Sequence, residues 1–410
     1  MSARHRSDEV ELRGVDDGNF AAWAAAFDLT FGIVTSDESL DRRRRVCEQD
    51  RLIAATASNG EVVGTAGAYS FDLSLPGGST AGCAGITLVS VRADHRRRGL
   101  LRRMMQRLLD DAASRAEPFA ALWATESPIY GRFGFGPAVP TADVELRREH
   151  ATLHLDGPVD EVALVDRDTA IERFPAIYDA NRAVRPGALS YDERWWRGRI
   201  LADPAHVRDR SGPLRCALLA DRGYATYRVT TDWTEDGPAG RVAIEELVAL
   251  DPAAHAALWR FVIDTDLTST TAAVRRPVDD PLFALLADPG RARIRQGDPL
   301  ELRVMDVPAA LTARGYAVDG TVVLEVADAL RPESAGRWQL EVVDGTARCR
   351  PTDASPDVTL DAAALAAVIL GGTRTTQLAA AGRVRAAPTA AAAFDRLLST
   401  DRAPWHGGMF

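Results

Sequence analysis

The clearest rhythm in this chain runs from Ile86 to Thr125. Ile86, Thr87, Leu88, Val89, Ser90 and Val91 form a largely β-branched run with no wet face, the pattern of a central strand buried on both sides. After the turn His95-Arg96-Arg97-Arg98-Gly99 the period changes from two to four. Leu100, Met104, Leu108 and Ala112 recur with Leu101, Met105, Leu109 and Ala113 beside them, while Arg102, Arg103, Arg107 and Asp110 take the opposite face. That spacing predicts an amphipathic helix. Phe119 to Thr125 then reads as a second buried strand, so the segment predicts a complete β-α-β unit. Upstream, Leu52–Thr56 and Val62–Tyr69 flank Asn59-Gly60 and predict a hairpin, and Leu75-Pro76-Gly77-Gly78 predicts a turn into the Ile86 strand.

A similar rhythm returns later. Tyr224–Val229 and Val242–Val248 read as paired strands, residues 251–266 as a helix opened by Asp-Pro, and Ser269–Val274 as another strand. Gly297-Asp298-Pro299 signals a turn before the apolar-leaning run Leu300–Val304. Beyond it, Trp338–Val343, Asp357–Leu360 and a helix from Asp361 form an α/β pattern rich in Ala, Val and Leu. The expectation is an α/β (α+β) chain of three domains, 1–155, 156–299 and 300–410.

Composition narrows the classes. A chain of 410 residues with 46% hydrophobic content is long enough for several cores. Ala362–Leu370 is its most apolar stretch and is too short to span a membrane. The polar start MSARHRSDEVELRG lacks a signal core, which predicts a cytoplasmic protein. Cys47, Cys83, Cys216 and Cys349 are scattered and predict buried free thiols. A net charge of −9 argues against a nucleic-acid partner and favours cationic substrates. All 49 basic residues are Arg, so an amine-modifying enzyme of this sequence could modify itself only at its N-terminus.

The Arg96–Gly99 turn is the main chemical signal. Unpaired N–H groups at a helix N-terminus attract phosphate oxygens. Arg96, Arg97 and Arg98 add planar donors, and Gly99 permits close approach. A turn of the form R-x-x-G-x-[GA] between strand and helix is the acyl-CoA signature of GNAT-type N-acetyltransferases. Arg96 and Gly99 match it, with Leu101 where Gly or Ala is usual. HRRRGLLR followed by Ile129-Tyr-Gly-Arg-Phe-Gly-Phe-Gly136 resembles the enhanced-intracellular-survival (Eis) branch, as does the order of segments through to a terminal Phe.

The resemblance implies two tandem GNAT-like domains, the second without a cofactor site because Ala249-Leu250-Asp251-Pro252 offers neither Arg nor Gly. A sterol-carrier-like domain follows. It also implies an acetyl-CoA-dependent N-acetyltransferase, homohexameric, metal-free and not membrane-bound, acting on amines of polyamine cations such as aminoglycosides. Its rivals are a lysine (protein) N-acetyltransferase and a non-catalytic lipid-binding scaffold.

The implied cofactor contacts are Val89, Ser90 and Val91 on the strand, Arg97, Arg98, Gly99, Leu100, Leu101 and Arg102 around the turn, and Thr125 and Glu126 opposite. A main-chain N–H near Val89 is the expected oxyanion donor. Tyr130 is the candidate general acid, since a phenol with a pKa near about 10 keeps its proton at neutral pH. The implied base is the α-carboxylate of Phe410, on a tail that Gly407 and Gly408 leave free to turn inward; His406 is the rival. His150 and His154 have helical spacing but lack a third metal ligand. Asp28 and Asp37, with Trp23, Phe27 and Phe31, read either as a cationic-substrate pocket or as a helix face and its cap. The run Arg42–Arg45 reads as a solvated face and is assigned no role.

Overall fold

Buried β-branched runs need partners on both edges, and in the computed structural model they find them in three principal sheets. The structure describes residues 10–155 and 160–410; the expected boundary after residue 155 abuts, and most of the polar N-terminal segment lies within, the part outside the described residues.

The first sheet takes β1 (Glu11–Gly14), β2 (Leu52–Thr56), β3 (Val62–Ser74), β4 (Thr80–Val91), β5 (Phe119–Trp123) and β6 (Gly136–Val139). The predicted hairpin is present, with Leu52 opposite Gly67 and Thr56 opposite Val62. Helices α1 (Phe20–Phe31) and α2 (Asp37–Val46) precede β2. Helix α3 (Leu100–Ser114) joins β4 to β5 and buries Leu100, Met104, Met105, Leu108, Leu109 and Ala112 of the stripe its spacing predicts, with Leu101 half-buried and Ala113 exposed. The short helix α4 (Ser127–Gly131) follows β5.

The second sheet comprises β7 (Thr141–Arg147), β8 (Ala163–Val165), β9 (Arg215–Leu219), β10 (Gly223–Thr230), β13 (Gly240–Ala249), β14 (Thr268–Pro277) and β15 (Arg293–Gln296). A small ribbon, β11 (Trp233–Thr234) with β12 (Gly237–Pro238), sits on the loop before β13. The third sheet has β17 (Gly320–Ala327), β18 (Gly336–Val343), β19 (Thr346–Pro351), β20 (Val358–Asp361) and β21 (Arg385–Ala386).

Two strands cross the expected boundaries. β7 lies before residue 155 yet pairs with β14 and β15 of the second sheet. The run Leu300–Val304, β16, was expected to open the third domain; instead it inserts between β5 and β6 of the first sheet. All five of its residues are buried, so the first core is incomplete without it. The two crossings brace each other, with the Gly297 N–H donating to Thr141 O at 2.9 Å and the Thr141 hydroxyl to Asp298 O at 2.9 Å. Gly297-Asp298-Pro299 is thus a turn between sheets rather than a domain boundary.

The third domain is fastened to the first by close packing. The helix Ala362–Val368 is buried throughout and capped by the Asp361 side chain. A Cβ on Gly136 would lie 1.9 Å from Ala363 O, so only glycine lets this helix reach β6. Buried Arg303 of β16 pairs with Asp328 at 2.5 Å and donates to Phe133 O. Among the described residues no helix is long and apolar enough to cross a membrane.

Candidate active site

β4 and β5 run parallel and pair only from Cys83–Phe119 to Gly85–Ala121. Beyond those pairs the strands part. β4 is deflected at Leu88, whose φ of 54° lies in the left-handed region, and there its ladder with β3 slips between Thr65 and Gly67. The Thr65 hydroxyl secures the irregularity, donating to Leu88 O at 2.7 Å. Such a bulge frees a strand edge, leaving main-chain groups of Val89–Val91 to pair with an extended ligand.

A cleft of about 800 Å³ opens there. Val89, Ser90 and Val91 form one side, Arg97, Gly99, Leu100, Leu101 and Arg102 surround the turn, and Thr125, Glu126 and Tyr130 line the other wall. Arg98, expected with them, does not line the cleft. Successive side chains of a tight turn cannot all face one hollow, and here Arg96 and Arg97 take that position. Arg97 (φ 63°) and Gly99 (φ 77°) both have left-handed backbone. Gly99 occupies the cap position of α3, and among the described residues no side chain caps the first turn of the helix. The first intrahelical bond is Arg103 N–H to Gly99 O, so the N–H groups of Leu100, Leu101 and Arg102 stand ahead of it. These donors, the helix dipole and two exposed guanidinium groups suit a diphosphate.

Tyr130 is 9% exposed, and burial pushes its hydroxyl up to about 12, helped by the charges of Glu301 and Glu126. It therefore remains a proton donor across the physiological range. Its ring packs edge-on against Phe135, which with Phe133 is core.

A second cavity of about 850 Å³ meets the first. Phe31, Val89, Thr125 and Tyr130 line both. Phe410 and Met409 line the second, so the chain end reaches it from the third domain. The tail is pinned nearly residue by residue. Trp405 N–H donates to Pro186 O at 2.8 Å and its indole to Arg275 O at 2.7 Å. Arg275 donates to Gly407 O at 2.8 Å, the Trp123 indole to Gly408 O at 2.9 Å, and Arg199 to Met409 O at 3.2 Å. The Phe410 ring sits 5.2 Å from that of Phe71. Gly408 serves close approach rather than flexibility, because a Cβ there would lie 1.8 Å from the Tyr191 oxygen.

His406 lines neither cavity. It is buried against Tyr191, and burial, with Arg275 nearby, lowers its pKa to about 3. A neutral imidazole held there anchors the tail and is out of reach as a base.

The acidic pocket considered around Asp28 and Asp37 does not form. Asp28 is wholly buried and bonded to Arg43 at 2.6 Å and to the Thr35 hydroxyl at 2.8 Å. Asp37 is exposed in the first turn of α2, behind the Ser36–Ser39 capping box. Arg42 and Arg43, assigned no role from sequence, do line the second cavity, together with Arg199 and Asp298. Sequence reasoning also missed Ala329 and Leu330, which bring the third domain to the first cavity. No local signal marks them, since their placement depends on the Arg303–Asp328 pair.

Residues 11–138 and 187–304 each match a family model described as an acetyltransferase (GNAT) domain, and 307–407 match one described as a sterol carrier protein domain. An uncharacterized N-acetyltransferase of Streptomyces avermitilis is 41% identical, covering 97% of this chain and 99% of its own. The N-acetyltransferase Eis of Mycobacterium tuberculosis is 39% identical over 90% of each chain. The crystal structure of Eis1 from Mycobacterium abscessus aligns with a TM-score of 0.85 at 32% identity, covering 98% of this chain and all of its own.

Proposed function

The chain belongs to the Eis family of GNAT N-acetyltransferases, and from that premise we propose a direct transfer in which Tyr130 is the acid and the Phe410 carboxylate the base. The single observation that carries this reading is the meeting of two cavities at Val89, Thr125 and Tyr130. One, of about 800 Å³, has the volume and donors for a coenzyme A thioester; the other admits an amine.

The turn residues Arg97 and Gly99 to Arg102 hold the diphosphate, and the edge of β4 holds the pantetheine arm. The Val89 N–H polarises the acetyl carbonyl, a contribution worth about 10²–10³ in rate for such donors. The Phe410 carboxylate takes a proton from the acceptor ammonium. The freed nitrogen forms a bond to the acetyl carbon, the carbon–sulfur bond breaks, Tyr130 gives its proton to the departing sulfur, and the second proton left on the nitrogen passes to solvent. N-acetylamine and free coenzyme A result, with Tyr130 and Phe410 reset by proton exchange with solvent. A carboxylate near pKa ~3.5 is a weak base in water and gains strength when desolvated, as in a cavity walled by Phe27, Phe31 and Trp123. The homohexamer implied by the resemblance is part of this reading, and sedimentation velocity tests it.

Tyr130→Phe tests the chemistry. The variant keeps its affinity for acetyl-CoA by calorimetry and loses about 10²-fold or more in kcat. Unchanged kcat removes Tyr130 from the mechanism.

A further inference from the structure

The second cavity carries a charge pattern that acetyl transfer to a simple amine leaves unused. Arg43 is neutralised by Asp28. Arg42, its neighbour on α2, and Arg199, from the second-domain turn Trp196–Ile200, line the same cavity. Among the described residues, Arg199 makes its hydrogen bond to a main-chain oxygen, that of Met409, and neither guanidinium is paired to a carboxylate. They also oppose each other: the Arg42 pKa is lowered by burial first and by Arg199 next, with Glu38, one turn earlier on α2, acting in the opposite sense without an ion pair.

Holding two like charges at one wall from two domains costs free energy that an anionic ligand would offset, and guanidinium forks match carboxylates in geometry. The opposite charges on this cavity are Asp298 and, on the reading above, the Phe410 carboxylate. Between them the wall is apolar, with Phe27, Trp123 and Met409, and with Ile33 and Val34 48% and 89% exposed.

We infer that the acceptor is an amphiphilic amine whose apolar body carries a carboxylate, clamped by Arg42 and Arg199 while its amine faces Tyr130. The amine end rests on the acetyltransferase reading; the anion clamp rests on the cavity lining alone. A polycation such as an aminoglycoside would place surplus positive charge against two unpaired guanidinium groups.

The test offers the full-length protein 4-(aminomethyl)benzoate, its carboxamide and spermine at saturating acetyl-CoA, following thiol release. The acid is expected to exceed the other two in kcat/KM by about tenfold or more. Arg42→Gln alone should cut that preference and leave the carboxamide rate unchanged, and the double substitution Arg42→Gln/Arg199→Gln should bring the acid-to-carboxamide ratio to about one, the ratio being the readout because Arg199 also holds Met409 O. In parallel, 4-methylbenzoate, which has no amine, is titrated by calorimetry; it should bind the unsubstituted protein about tenfold more tightly than the double variant. Equal rates for acid and carboxamide, a faster spermine reaction, or a preference that survives the double substitution overturns the inference. So does a loss of acetyl-CoA affinity in the double variant, which would assign the arginines to the co-substrate. Arginine-dependent binding of 4-methylbenzoate with no amine acetylated would sink the transferase reading and leave the anion site standing.

Discussion

At Gly99 and again at Asp251, a buried strand passes into a helix that crosses to a parallel neighbour, yet the two helix N-termini are built differently. At the first, the cap residue is a glycine with no side chain, nothing among the described residues lies within 4 Å of where its Cβ would be, and arginines stand nearby on both sides in the chain. At the second, the Asp251 carboxylate accepts from Ala254 N–H at 2.9 Å and is held by Arg222 at 2.7 and 2.8 Å. Those bonds, Arg222 foremost, lower its pKa to about 2, so it stays charged. Pro252 removes a further N–H.

The grooves differ in the same sense. β4 and β5 separate and leave a cleft of about 800 Å³. β13 and β14 pair further, from Gly240–Thr268 to Ile244–Ala273. Past that point Arg276 closes the gap, donating to Leu247 O at 2.8 Å and pairing with Asp280 at 2.8 Å between the rings of Trp259 and Trp405. About 240 Å³ remains. Where the first unit leaves its helix N-terminus open, the second satisfies it internally and becomes a scaffold that pins the C-terminal tail.

Giving the first turn the chemistry of the second is the severest way to break this comparison. Gly99→Asp places a carboxylate at the head of α3, and Asp tolerates left-handed backbone better than most residues. Acetyl-CoA affinity should fall by about 100-fold or more in calorimetry, with the fold retained by circular dichroism; Gly99→Asn, of equal size and no charge, should cost far less.

Extending the chain by a few residues beyond Phe410 comes next. It moves the carboxylate away and should lower kcat by about 10²-fold without changing acetyl-CoA affinity. Full activity in such a chain removes the terminal carboxylate from the mechanism.

In the second domain the same kind of change should be small and purely structural. Asp251→Ala loses a helix cap, so a loss of about 1 kcal/mol in denaturant unfolding is expected, with coenzyme binding untouched. Any gain of a second coenzyme site in that variant would mean the cap alone had closed it.

The smallest expected effect is none. Tyr130, as an acid raised to about 12, is fully protonated until pH approaches that value, so kcat should show no alkaline fall below about pH 10. A descending limb centred near pH 8 would point to another acid.

Much of the first unit was legible because its signals are local. The Leu100–Ala112 stripe, the Asn-Gly hairpin and the Arg96–Gly99 turn each depend on neighbours within a few residues, and the cleft contains every expected cofactor residue save Arg98. What sequence could not reveal is non-local. β16 reads as the opening of a third domain because its period is that of any buried strand, and only its pairing with β5 and β6 shows otherwise. The sign of charge in the second cavity turned on one ion pair, Asp28 with Arg43, between two helices. A run of four arginines gives no hint that Arg42 and Arg43 face inward.

Calorimetric titration of the full-length protein with acetyl-CoA tests the contrast between the two units most directly. The account predicts one molecule bound per chain, lost in Gly99→Asp. Two per chain, or one that survives that substitution with its affinity intact, would contradict it.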